Sequence, residues 1–249
     1  MEGGNKMKKK IKISLFVFMI CLTLINRANA ETKNDYYTNY YGINIPTIKY
    51  NELKKYYTDS YIFTMNEQEY ENIMKNNLKD ISISEITDNT NINFCSTLFS
   101  TKYKTIKIIN NSGYITISLV WKIMPKIRSY DVIAARLNGV SISGAISFKQ
   151  TYIKDGSTNI SYSSTRREFD NGVGFSFKLS EYENLEISLS FQIKGNGNIY
   201  ASYQHATNLV TLSQSKQYSL SSIGYGNVIL FDNSVKNYYD AMSGVSISV

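Results

Sequence analysis

From about Ile92 to the C-terminus the apolar residues recur at every second position, a period that only an extended strand can bury on one face. Ile115, Ile117, Leu119 and Trp121 alternate with Thr116, Ser118, Val120 and Lys122. The alternation returns at Val173 to Leu179, Leu185 to Ile193 and Ile199 to Tyr203, with shorter apolar runs at Leu209 to Leu212, Val228 to Phe231 and Val245 to Val249. Asn110-Asn111-Ser112-Gly113, Asn138-Gly139 and Gly195-Asn196-Gly197-Asn198 separate these runs as hairpin turns would. About ten short strands with turn residues between them predict a mainly β protein, an antiparallel β-sandwich spanning residues 90–249. The faces turned away from its core carry Ser, Thr and Gln rather than Lys and Glu, which suits weak contacts with polar polymers.

One α-helix is marked upstream, over residues 65–82. Tyr70, Ile73, Met74, Asn77, Leu78 and Ile81 share one face, while Glu67, Glu69, Glu71, Asn72 and Lys75 fall elsewhere. Thr64 with Glu67, or Asn66 with Glu69, makes a capping box, and the staple pair Met65 and Tyr70 selects Asn66 as the cap. Ahead of it, residues 31–64 are rich in tyrosine: Tyr36, Tyr37, Tyr40, Tyr41, Tyr50, Tyr56, Tyr57 and Tyr61, with no dominant period. Such rings can stack on sugars or sit at a membrane interface, but Tyr, Asn, Lys and Ile are abundant throughout, as an AT-rich genome would make them. The expectation is an irregular arm packed over the main domain.

The first 30 residues read as a secretory signal peptide. A basic stretch at residues 6–12 precedes a mostly apolar run from Ile13 to Ile25, and Ala28-Asn29-Ala30 has the small-x-small form of a cleavage site. The run is shorter than the roughly 20 residues of a spanning helix, and nothing later approaches that length. Ile20 before Cys21 does not suit a lipidation signal. A mature chain beginning at Glu31 then keeps Cys95 alone, as a small buried hydrophobe or a site for an intermolecular bridge. The chain has 27 basic and 20 acidic side chains; six and one of these lie in the leader, leaving 21 and 19. So small an excess gives no footprint for nucleic acid.

The segment Trp121-Lys122-Ile123-Met124-Pro125-Lys126-Ile127-Arg128-Ser129-Tyr130-Asp131-Val132-Ile133-Ala134 resembles one recurring in uncharacterised secreted β-rich proteins of Gram-positive bacteria, in which a Trp is followed by Met-Pro, a basic residue and Asp-Val-Ile. The resemblance spans residues 115–249 and implies secretion and a β-rich fold; it implies no activity. Physically the segment is a strand, a corner set by Pro125 and a second strand, with Arg128 and Asp131 placed to pair at the corner. Trp121 lies on the apolar face of its strand, which makes it core. The binding alternative has Trp121, Arg128 and Asp131 lining a site, the indole as a stacking face and the charges as a polar anchor.

Catalytic chemistry finds little footing. His205 is the only histidine, so histidine metal clusters are excluded, and no Gly-x-Ser-x-Gly elbow or phosphate loop accompanies it. It reads as a surface or strand-end histidine. Glu168/Asp170 and Glu181/Glu183 are carboxylate pairs beside turn residues, where acids are solvated. Asp155-Gly156-Ser157 and Asp232-Asn233 offer oxygens without calcium-loop spacing. The expectation is a secreted, non-enzymatic β-sandwich protein, extracellular or wall-associated, with no cofactor and no metal, that binds a glycan, wall polymer or protein. The alternatives are a β-pore-forming toxin, which would need Leu185 to Leu212 to detach as a hairpin and alone would bring the chain to a membrane, and thirdly a secreted hydrolase.

Overall fold

The computed structural model describes residues 35–88, 104–222 and 227–249. The leader, the first residues of the tyrosine-rich segment, the start of the β domain at residue 90, and Cys95 lie outside the described residues. In chain order the elements are β1 (Tyr36–Thr38), β2 (Asn44–Pro46), α1 (Thr47–Leu53), α2 (Asp59–Phe63), α3 (Glu67–Met74), β3 (Ser82–Asp88), β4 (Lys104–Asn111), β5 (Tyr114–Trp121), β6 (Tyr130–Ile142) and β7 (Ser147–Lys154). They continue as β8 (Ser157–Ser161), β9 (Thr165–Phe169), β10 (Gly172–Lys178), β11 (Glu183–Ala206), α4 (Leu212–Ser215), β12 (Tyr218–Leu220), β13 (Ile229–Phe231), β14 (Tyr239–Ala241) and β15 (Val245–Ser248).

Two antiparallel sheets form the sandwich, and β11 belongs to both. Its first half lies between β5 and β7, extending a sheet ordered β3-β4-β5-β11-β7-β8. Its second half pairs with β6 on one side and with β15 and β14 on the other, in a sheet that runs on through β10 to β9. The alternating positions meet between the sheets: Ile115, Ile117, Leu119 and Trp121 of β5 and Leu185, Ile187, Leu189 and Phe191 of β11 face Ile133, Val173, Phe175 and Tyr203.

Two turns read from the sequence are bends instead. Asn138-Gly139 lies inside β6, and Gly195-Asn196-Gly197 lies inside β11, where the β6–β11 register shifts between Gly195 and Asn198. A side chain on Gly197 would meet the Asn138 carbonyl oxygen at 2.0 Å, and Gly139 has φ +78°. The glycines let two long strands bulge against each other just beyond the point where β11 passes from one sheet to the other. Asn-Gly supplies the same left-handed backbone to a bulge as to a tight turn, so the dipeptide alone does not distinguish them. The Ser112-Gly113 hairpin between β4 and β5 forms as expected.

The tyrosine-rich segment is not irregular. It forms the β1–β2 hairpin and two short helices, so α3 is the third helix of a small N-terminal unit. Asn66 caps α3 with the reciprocal box: its Oδ1 accepts from the Glu69 amide at 2.9 Å, and Glu69 Oε2 accepts from the Asn66 amide at 3.0 Å. The helix stops at Met74 rather than near residue 82, because Asn77 turns extended and caps a separate 3₁₀ turn, Leu78–Asp80. Ile45, Leu53, Tyr57, Tyr61, Ile62, Met65, Ile73 and Leu78 bury one another in this unit, joined by only Ile109 and Tyr114 from the sheet. Residues after β11 cover the other sheet, with Val210, Tyr218, Val228 and Ile229 over Val132, Ala134 and Tyr200.

Candidate functional site

Trp121 and Asp131 do meet, inside the sandwich. Trp121 is 3% exposed and Asp131 is fully buried. The indole Nε1 donates to Tyr203 Oη at 3.2 Å, and that hydroxyl donates in turn to Asp131 Oδ2. Oδ2 also lies 2.9 Å from His205 Nδ1, and Oδ1 accepts from the Ala206 amide at 2.8 Å. Burial, then the Asp131 charge, pushes the Tyr203 phenol well above its ordinary range. Lys104 stands 5.2 Å over the indole ring and pairs with Asp88 at 3.4 Å and Asp240 at 3.3 Å.

This network corrects two expectations. His205 is fully buried rather than on the surface, because β11 continues through Gln204 and Ala206, and Asp131 supplies the partner that lets an imidazole face inward. Arg128 does not pair with Asp131; it donates to the Ser180 carbonyl at 2.8 Å, while Asp131 is taken up by Tyr203, His205 and Ala206. With Trp121 and Asp131 sealed in the core and Arg128 turned to a loop carbonyl, the three do not line a common ligand surface. They are a polar anchor between the sheets.

The Ser/Thr face of the sheet is not open either. Thr116, Ser118, Thr151, Ser188 and Ser190 are each at most 3% exposed, because the N-terminal unit lies across them. Apart from Ile109 and Tyr114, the contacts across the seam are polar ones. Lys149 Nζ reaches Glu69 Oε2 at 2.7 Å and the Thr64 carbonyl at 2.9 Å; Thr58 donates to Glu186 at 2.5 Å, and Ser118 donates to its other oxygen at 2.6 Å. Ser60 meets Thr151 at 2.9 Å, Tyr61 meets Ser190 at 3.2 Å, and Lys107 donates to the Tyr56 carbonyl at 2.5 Å. A polar row reads alike in sequence whether water or a polar cover satisfies it.

Burial raises the Glu186 pKa from its ordinary value. A raised folded pKa contributes stability that is fully present below the unfolded value and is lost as pH rises through the folded one. Glu186→Gln, which cannot ionise, is therefore expected to melt higher than the parent at pH 8, by about 2–4 °C per kcal/mol relieved. The gap should close towards pH 4 in a thermal melt series; a pH-independent gap would refute the assignment.

What the surface does offer is aromatic. Tyr162, just after β8, touches Tyr41 hydroxyl to hydroxyl. From there ring follows ring: Tyr41 to Tyr40 at 5.2 Å between centroids, Tyr40 to Phe63 at 6.1 Å, Phe63 to Tyr37 at 6.4 Å, and Tyr37 to Tyr50 at 4.3 Å. Tyr40, Tyr41 and Tyr162 are 54%, 43% and 51% exposed. The tyrosine-rich segment marked part of this track in the sequence. Tyr162 carried no such mark, since only the packing of the N-terminal unit on the sandwich brings it into line.

Comparison with known proteins adds a loose likeness. No family model matches the chain, and no curated protein matches it. Among solved structures it is similar to the KRT10-binding region domain of the pneumococcal serine rich repeat protein PsrP, at 10% identity and a TM-score of 0.25, over 49% of this chain and 83% of that one. So slight a likeness transfers neither fold nor ligand.

The remaining candidates stay at the surface. Glu168 pairs with exposed Arg166 at 2.7 Å, and Glu181 and Glu183 are exposed. Asp155 and Gly156 form the β7–β8 hairpin turn. Among the described residues no group of three His, Cys, Asp or Glu side chains is placed to hold a metal, and no helix is long and apolar enough to cross a membrane. Leu185 to Ile193 and Ile199 to Tyr203, drawn from the two arms of the hairpin that the pore alternative requires, lie in one continuous strand held by neighbours on both sides.

Proposed function

We propose that this is an exported binding protein that holds a glycan or wall polymer along the track of Tyr50, Tyr37, Phe63, Tyr40, Tyr41 and Tyr162. The observation that carries the reading is the track itself: ring contacts from Tyr50 to Tyr41 joined to Tyr162 by a hydroxyl contact, three of the rings at least 43% exposed, drawn from residues more than a hundred positions apart. Aromatic faces stack on the apolar faces of sugar rings, and hydroxyls at their edges meet the polar rims. A row of rings suits a linear polymer better than a compact ligand, which would call for a pocket. The leader supports export, and an extracellular polymer is a partner consistent with it.

Tyr41→Ala and Tyr162→Ala are each expected to weaken binding to purified wall polysaccharide about tenfold, the worth of about 1.4 kcal/mol of lost stacking. Both rings are largely outside the core, so the melting temperature should hold. Binding measured by sedimentation that stays unchanged in the double variant would sink the proposal.

A further inference from the structure

We infer that residues 35–81 form a lid that opens as a unit from the sandwich and uncovers a masked hydroxyl-rich face. The division of contacts is the argument. Eight apolar side chains of the segment are buried on one another and only two come from the sheet, so its hydrophobic stability is largely its own. Beyond Ile109 and Tyr114, what fastens it to the sheet is polar: the Lys149–Glu69 ion pair and the hydrogen bonds of Thr58, Ser60, Tyr61 and Tyr56 across the seam.

A seam of that kind separates at low cost. Water replaces each hydrogen bond when the face is wetted, whereas an apolar seam would expose surface that water cannot satisfy. The uncovered face presents Thr116, Ser118, Thr151, Ser188 and Ser190 in a flat array, with Glu186 and Lys149 among them. Lys149 and Glu69 are the fastening with most at stake, since each is a buried charge whose removal strands the other. Glu69 is also the carboxylate of the α3 capping box, so helix start and lid closure share one side chain. Towards its far edge the lid meets the sandwich again at Tyr41 and Tyr162, and at its C-terminal end it passes through extended Ile81 into β3.

Hydrogen exchange of the mature chain without ligand tests this. The helix amides of Ile62, Tyr70 and Lys75 should exchange through one shared opening, at least ~10-fold more populated than the opening that releases Ile117 of β5 and Leu189 of β11. Lys149→Met should populate the lid opening at least ~100-fold more, and the milder Ser60→Ala several-fold more, each leaving Ile117 and Leu189 as protected as before. Exchange of helix and sandwich amides through one common opening in the parent and both variants would overturn the inference. So would variants that loosen the two groups equally.

Discussion

Asp131→Ala is expected to cost about 3–5 kcal/mol of stability, the loss that follows when one partner of a buried charged network is removed. The carboxylate accepts from Tyr203, from His205 and from the Ala206 amide, and all three groups are buried. Without it the hydroxyl, the ring N–H and the amide are left facing a methyl group. At about 2–4 °C per kcal/mol for a chain of this size, the melting point should fall by roughly 6–20 °C. Urea unfolding would measure it directly, and Asp131→Asn, which keeps the shape and an acceptor for Ala206, should recover part of the loss. A cost below about 1 kcal/mol for the alanine variant would mean that the carboxylate is not what holds the network.

Trp121→Ala should cost a similar ~3–5 kcal/mol, through a cavity between the sheets rather than a stranded charge. The indole packs edge-on against Tyr203 at 6.0 Å and His205 at 5.1 Å, beneath Lys104. Because Trp121 and Asp131 both act through Tyr203, the double variant should lose less than the sum of the two single losses. Melting that stays at the parent value while binding to wall polysaccharide disappears would return Trp121 to the surface as a ligand residue.

Where the sequence alone could be read, one physical pattern had one structural outcome. Ile115 to Trp121 and Val173 to Lys178 are strands because alternation has no other way to bury one face, and Asn66 with Glu69 caps α3 because the box needs those side chains three apart. Where it misled, two structures share one pattern. Asn138-Gly139 serves a bulge as readily as a turn, and the alternation of Ser188 and Ser190 is the same under a polar lid as under water. The helices of residues 47–63 are five and seven residues long, too short for a period to show. Trp121 was legible as core from the apolar face of its strand, but the burial of Asp131 depends on Tyr203 and His205, more than seventy residues away. The ligand track is likewise assembled only by tertiary packing.

The double membership of β11 bears on the order in which the chain can fold. Strands β3 to β6 precede it, yet β5 and β6 do not touch as sheet neighbours until residues 183–206 lie between them. Most pairing in the sandwich is therefore between positions distant along the chain, and such topologies close slowly because the entropy of large loops is lost before the contacts that offset it are made. A polypeptide emerging N-terminus first can pair β3-β4-β5, β7-β8 and β6-β10-β9, but these pieces stay unjoined until this one strand arrives. The strand that joins the two sheets is therefore made after the pieces it joins.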